Sequence, residues 1–473
     1  MTPASSAGLK TRRTSGSVIS RALSVIADLK DDERETALLM TVNGFLVLMA
    51  YACIKPVREA LILAHPGGAE YKAYTAGATA LLLLLAVPLY SRASAGLARN
   101  RLVIGTTLFF TAHLLVFFIV GAAIGSSLAF ALAFYLWIAI FNMMTVAQFW
   151  AFANDLYSEE QGRRLLPLLG FGVSLGAVAG AATAKVLIAR IGTLLMMPLA
   201  AAILALSACV FQLVHAREVR RAPNPSAKAA AVEAVGGRAG DAFRAVIKDR
   251  YLLYIAAFSL VFTLVKTNGD YVLARTVENA AEQAAAAGTL PASQVQNYIG
   301  GVFASLTFWT DMISLALQGL AVSRVIKHFG FAFALCALPV VALGDATLMA
   351  AWPVLTAVRI GKTAESAIDY SLNNTIRNML WLPTSRRAKY LAKQATDTFF
   401  VRAGDMSSAG MIFVTAYSGL SPRVVVLSNV FLILVWVALA GAILKEREAL
   451  LAPASRRPES AGRVSVNVLP VPL

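Results

Sequence analysis

The sequence predicts an all-α membrane protein of about twelve transmembrane helices arranged as two pseudo-symmetric six-helix halves. Three observations carry that expectation. Of the 473 residues, 58% are hydrophobic and only 14% are charged, whereas soluble domains carry charge on about a quarter of their residues. Apolar stretches recur along the whole chain, each near the roughly 20 residues needed to cross a hydrocarbon core about 30 Å thick. The longest hydrophilic interruption, 215–250, falls mid-chain and divides those stretches six and six.

The expected spans are 36–64, 70–90, 102–124, 128–155, 165–188 and 192–214 in the first half (36–214). In the second half (251–444) they are 251–273, 297–321, 331–351, 353–376, 395–418 and 424–444. The tenth and eleventh carry so many polar residues that a hydropathy window alone ranks them low. Residues 1–35 are polar and basic without an apolar core, and read as an N-terminal tail in place of a cleaved secretory signal. Segment 215–250, which contains REVRRAPNPSAKAAAVEAVGGRAG, reads as a tether between the halves, and 445–473 as a C-terminal tail.

An even number of spans puts both termini on one side, and the basic residues say which. Of the 42 Lys and Arg, 31 fall in the tails and loops that share the termini's side. Five (Lys72, Lys185, Arg190, Arg275, Arg423) fall in the opposite loops. Loops rich in Lys and Arg stay cytoplasmic, so both termini are expected inside. The same bias explains the net charge of +16 through contact with anionic lipid headgroups, with no nucleic-acid partner. Cys53, Cys209 and Cys336 lie inside apolar runs, and the four histidines are scattered, so no metal or redox centre is expected. No nucleophile and base pattern suggests an enzyme, and no cofactor is expected.

The first helix of each half carries the same unusual event. Ile54-Lys55-Pro56-Val57-Arg58-Glu59 and Val265-Lys266-Thr267-Asn268-Gly269-Asp270 each place a Lys four residues before a carboxylate, with a helix-weakening Pro56 or Gly269 between. Lys55, Arg58 and Glu59 share about a 100° arc of helix and can face the bundle interior together. A charge at the bilayer centre costs roughly 2.5 to 3.5 kcal/mol on the insertion scale, so matched charges in both halves point away from lipid. Two broken first helices meeting at the midplane would make a substrate site. The alternative is a pair of local i, i+4 ion pairs that snorkel outward and only staple their helices.

A denser set follows in the second half. Arg359, Lys362, Glu365 and Asp369 fall within about 120° of arc on one helix, a face that must be buried or wet. Lys362, Glu365 and Asp369 are candidates for the pathway together with Lys55, Arg58, Glu59, Lys266 and Asp270. Arg359, Asp397, Arg402, Asp155, Arg163 and Arg164 are candidates for gating or structural ion pairs, and Asp345 and Asp405 for a structural network. Counted within spans, six cations oppose eight acids, which gives no net positive cavity. Either some acids pair structurally or some carboxyls are protonated and couple transport to a proton. Gly172, Gly176 and Gly180, four residues apart, form a small-residue stripe for close helix packing; no strand precedes them, so the glycines are no dinucleotide fingerprint.

KPVREAL in the first helix, FWAFANDLYSEEQGRRLLPLLG from Phe149 to Gly170, and the block from Lys362 to Asp405 resemble the ATP/ADP antiporter family of plastids and intracellular bacteria. That family is distantly related to the major facilitator transporters. The resemblance implies a twelve-helix bundle in a bacterial inner membrane with one central site opening alternately to either side. It implies Lys55 or Arg58 as phosphate contacts, and a small anionic substrate, ATP or ADP, as partner of a monomer in the lipid bilayer. The chain departs from the family at Pro56 and Arg58 and in lacking an acid between Phe134 and Trp150. A proton-coupled carrier of another organic solute, or a non-transporting scaffold, stays open beside nucleotide exchange.

Overall fold

The computed structural model describes residues 33–94, 99–221, 239–384 and 392–451, and within them every regular element is helical. The first half holds α1 (Arg34–Leu63), α2 (Gly68–Ser94), α3 (Arg99–Ile124), α4 (Leu128–Leu156), α5 (Glu159–Ile191) and α6 (Met196–Arg221). A short α7 (Ala239–Lys248) leads into α8 (Arg250–Ala286), α9 (Val295–Leu320), α10 (Val322–Ala351) and α11 (Leu355–Ile368). A π turn, Asp369–Asn373, joins α11 to α12 (Asn374–Met379); a second, Thr396–Phe400, opens α13 (Val401–Tyr417), and α14 (Arg423–Leu451) closes the chain's described part. Among the described residues, nine helices are long and apolar enough to cross a membrane. The polar tenth span, α11 with α12, is not among the nine, and neither are the eleventh, α13, and α2.

Local chemistry sets the helix starts. Ser127 accepts from the Phe130 amide at the head of α4, Ser158 and Gln161 make a capping box on α5, and Asp249 accepts from the Leu252 amide on α8. Gly330, at φ +79°, turns a surface segment into the spanning part of α10. The expected tether is shorter than 215–250, because α6 continues to Arg221 and α7 fills Ala239–Lys248; residues 222–238 lie outside the described ones. Likewise α8 runs on to Ala286, about 55 Å at 1.5 Å per residue.

The halves repeat each other. In the first, α1 packs on α5 and α6; in the second, α8 packs on α13 and α14. Across the halves, α2 crosses α13 and α5 crosses α9. Apolar side chains such as Leu85, Ile119, Leu206, Val340 and Phe431 face outward, as a lipid solvent requires. The glycine stripe does what its spacing suggests: a Cβ at Gly172, Gly176 or Gly180 would run into the α1 backbone at Thr41, Phe45 or Met49. The core is not symmetric along the axis. At the end remote from the termini, here called distal, one apolar cluster is continuous through both halves, joining Leu61, Phe130 and Ile188 to Ala274, Val277 and Phe303. At the proximal end it divides into a cluster around Phe152, Leu169 and Phe211 and another around Tyr251, Leu338 and Trp436.

Gly176→Leu is expected to destabilise the protein by about 1–3 kcal/mol, since the Phe45 carbonyl belongs to helix backbone and cannot yield. Gly170→Ala, which meets open space, is expected to melt like the parent. Thermal denaturation of the detergent-solubilised protein reads both.

Candidate functional site

The charges of the two first helices meet. Neither helix is broken: Pro56 sits inside a continuous α1 and Gly269 inside a continuous α8, which corrects the expectation of discontinuous first helices. Gly269 instead makes room, because a Cβ there would come within 2.8 Å of Lys362 Nζ. The irregular backbone lies in the two π turns of the tenth and eleventh spans, a device frequent at functional sites.

The local i, i+4 pairs are absent as well among the described residues: Glu59, Lys266 and Asp270 each pair with a residue of another helix, and Lys55 lies toward an aromatic ring. Glu59 is buried and holds Arg58 next to it and Lys72 of α2 at 2.8 Å. Lys266 donates to Asp369 of the π turn at 2.6 Å, and Asp270 takes Lys362 of α11 at 3.1 Å. Lys362 is 1% exposed and also binds Glu365 at 3.0 Å. Arg58 lies 4.4 Å from the Tyr135 ring. Tyr370 joins the halves: Lys55 Nζ stands 5.8 Å from its ring centroid and Lys266 Nζ 5.0 Å. Among the described residues Lys55 makes no ion pair.

A cavity of about 230 Å³ is lined by Tyr51, Lys55, Arg58, Glu59, Lys72, Tyr135, Lys266, Asp270, Lys362 and Tyr370, among others. A second, of about 320 Å³, shares Lys72, Tyr135, Lys266 and Asp270 with it and extends past Arg377, Val401 and Asp405 toward the proximal end. Together they reach the roughly 300–1,000 Å³ that small-molecule sites occupy. Six cations line this chamber (Lys55, Arg58, Lys72, Lys266, Lys362, Arg377) against three carboxylates (Glu59, Asp270, Asp405). The count over whole spans gave no positive excess because it could not see direction: Asp369, Glu365 and Asp345 stand behind the cations. Lys72 and Arg377, assigned to loops by sequence, are wall residues; Lys72 lies one turn inside α2, which begins only at Gly68. Tyr51, Tyr135 and Tyr370 were also missed, and their spacing offers no signal that separates them from core aromatics.

The gating candidates fare unevenly. Arg164 pairs with Glu33 at 3.0 Å at the proximal end. Asp155 and Arg163 flank the same junction of α4 and α5, each with a partner of its own. Asp397 stands 3.7 Å from Arg377, and Arg402 pairs with Asp405 at 3.2 Å. Arg359 makes no ion pair among the described residues; it donates to Ser305 Oγ at 3.2 Å and lines an apolar groove with Trp309 and Ile313. Asp345 makes no ion pair among the described residues either, which corrects its place in a structural ion-pair network. Arg386, Arg387 and Lys389 lie outside the described residues.

At the distal end a polar seal joins the halves. Glu278 accepts from the amides of Gly68 and Ala69 at the start of α2, at 2.9 and 3.4 Å. Tyr271 donates to Glu70, Gln296 to Thr193, and the Thr193 amide to Asn297. Among the described residues no three metal-ligating side chains converge.

No protein-family model and no curated protein sequence matches the chain. Solved structures do. A bacterial homolog of the human lysosomal transporter Spinster, inward-facing and unoccupied, aligns with a TM-score of 0.57 at 15% identity over 90% of this chain and 100% of its own. A point mutant of the nucleoside transporter NupG aligns at 0.60 with 12% identity over 88% and 100%. An auto-inhibited peptide transporter of the POT family aligns at 0.57 with 12% identity over 92% and 99%. These likenesses establish the fold, which is that of major-facilitator-type transporters.

Lys362→Ala is expected to destabilise the protein by about 3–5 kcal/mol, because it strands a buried Glu365 without its cation. Lys55→Ala breaks no ion pair and is expected to melt near the parent. Melting temperatures of the two purified variants compare them directly.

Proposed function

We propose that the protein is an alternating-access secondary carrier that exchanges a phosphorylated organic anion, with a nucleotide of the ATP/ADP type as the first cargo. One observation carries the reading: six cations against three carboxylates, drawn from both halves, line one chamber at the meeting of the two bundles. The fold and the sequence resemblance support it.

Each wall group has a chemical task. Lys55 makes no ion pair among the described residues, so its charge is available to a phosphate oxygen in a charge-assisted contact. Arg58, Lys72, Lys266 and Lys362 hold partners that an anion can compete for, while Glu59, Asp270, Glu365 and Asp369 keep those side chains aimed into the chamber. Tyr51, Tyr135 and Tyr370 offer faces on which a planar base can stack. The helices α1–α6 and α8–α14 act as two bodies rocking about this site.

The basic loops put both termini in the cytoplasm of a bacterial inner membrane. The distal seal then closes the outer face, and the divided proximal core opens the chamber inward. Opening outward requires Glu278 to leave the start of α2 and the Thr193 contacts to part, while proximal pairs such as Arg164 with Glu33 meet new neighbours. A proton-coupled carrier of a different organic solute is the second reading, favoured by the carboxyls gathered behind Lys362.

In proteoliposomes, Lys55→Ala and Arg58→Ala are each expected to lower exchange of labelled ADP by about 10- to 100-fold, the loss of a hydrogen bond to a charged group. Full exchange by both variants overturns the site. For the cargo, ATP, ADP and inorganic phosphate are each expected to raise the melting temperature of the parent protein, ordered by the number of phosphates. Uniformly flat profiles across nucleotides move the assignment to the second reading.

A further inference from the structure

Arg359 is a cation within a span that the chamber does not use. It sits one turn into α11, toward the distal end. Among the described residues it makes no ion pair, and its one side-chain bond runs to Ser305 Oγ of α9 at 3.2 Å. The other donors of its planar fork are left for another acceptor. Arg359 lines a groove of about 550 Å³ between α9 and α11, whose walls include Leu306, Trp309, Ile313 and Ile360. Trp309, Ile313 and Ile360 are exposed, so the groove opens sideways from the bundle, where lipid is the solvent.

The groove has both the length and the charge to hold a lipid. A second cavity of about 380 Å³ continues it, sharing Leu317 and Ile368 and passing Phe333 and Val340 of α10. From Arg359 to Leu372 the two cover about 20 Å at 1.5 Å per residue. That exceeds half of a hydrocarbon core about 30 Å thick, the depth of one leaflet. Every other residue lining either cavity is uncharged, so no carboxylate answers Arg359 along the groove. Lys185 of α5 adds a second cation at the same edge: its Nζ lies 5.2 Å from the Trp309 ring centroid, and it makes no ion pair among the described residues. An arginine beside lipid calls for an anion, and a guanidinium takes a phosphate through two parallel hydrogen bonds.

We propose that the groove between α9 and α11 binds one acidic phospholipid of the surrounding bilayer. Its phosphate meets Arg359, its headgroup lies on the distal side beside Lys185, and an acyl chain runs along Ile313, Leu317 and Ile368 toward Phe333. An acidic headgroup suits the two cations, whereas a zwitterionic one brings its own ammonium against them. The site is separate from the chamber. Lys362 and Ser366 turn one face of α11 to the chamber, while Arg359, Thr363 and Ala367 turn another to the groove. A lipid seated there braces the helix that carries Lys362, and Leu306 lines both cavities. This binding stands whatever the chamber carries.

Native mass spectrometry of the full-length protein, stripped of lipid in neutral detergent and titrated with phosphatidylglycerol or phosphatidylcholine of equal chain length, tests the site without any cargo. The parent is expected to bind its first phosphatidylglycerol about 10- to 100-fold more tightly than its first phosphatidylcholine, the difference one charge-assisted bond makes. Arg359→Gln, whose amide still reaches Ser305, is expected to lose that preference, and Arg359→Lys to keep part of it. Ala364→Trp fills the exposed groove with Arg359 left in place, and is expected to remove the tight site as well. Soluble glycerol phosphate, a headgroup without chains, is expected not to compete. A parent without preference, a preference retained in both Arg359→Gln and Ala364→Trp, or full competition by glycerol phosphate overturns the proposal. So does a dimer of the parent that Ala364→Trp abolishes, since a second copy then fills the groove. If Arg359→Gln fails to fold, Ala364→Trp decides.

Discussion

The structure turns on the problem of holding Lys362 as a cation inside a membrane bundle. Its ammonium group is almost wholly buried, and it is tolerated because Asp270 and Glu365 approach from two helices to compensate it. Taking such charges out of water carries a penalty that good geometry only just repays, so every neighbour is fixed by that need. Gly269 clears space for the ammonium, the π turn swings Asp369 onto Lys266, and Gly361 admits Asp345. Lys266 and Lys362 line the chamber with Asp369 and Glu365 behind them.

The same logic places the two halves. Where they touch at the distal end, the apolar core is continuous and is capped by hydrogen bonds that use backbone amides of α2 and side chains of α8 and α9. Where they part at the proximal end, each half keeps its own core. The glycine stripe on α5 lets α1 lie against it at backbone distance.

Chemistry in the chamber is divided between the halves in a way that neither half could supply alone. The first contributes a Lys55 free of any ion pair among the described residues, an Arg58 lying over Tyr135, and Lys72 held by Glu59. The second contributes Lys266 and Lys362, both tied to carboxylates, and Tyr370, whose ring lies near a lysine from each side. A bound anion would therefore contact both bodies at once, and its binding energy would depend on how they are disposed.

Much of this was legible from residues alone. Hydropathy marked the spans, the Lys and Arg bias marked the proposed inner face, and the glycine spacing marked a packing surface, because each is a property of single segments in a fixed solvent. The paired motifs at Lys55 and Lys266 pointed at a site for the same reason: a charge in an apolar helix must be answered locally or across the bundle. The choice between those two was made only by the tertiary structure. Lys266 reaches Asp369 and Asp270 reaches Lys362, partners about a hundred residues away, and no periodicity encodes which helices lie side by side. Sequence also could not separate wall from backing, so it counted Asp345, Glu365 and Asp369 as equals of the cations and left Lys72 and Arg377 in loops. Direction of a side chain relative to a cavity exists only once helices are packed, and that direction turned a nearly balanced charge count into a positive chamber with Asp369 and Glu365 behind its lysines.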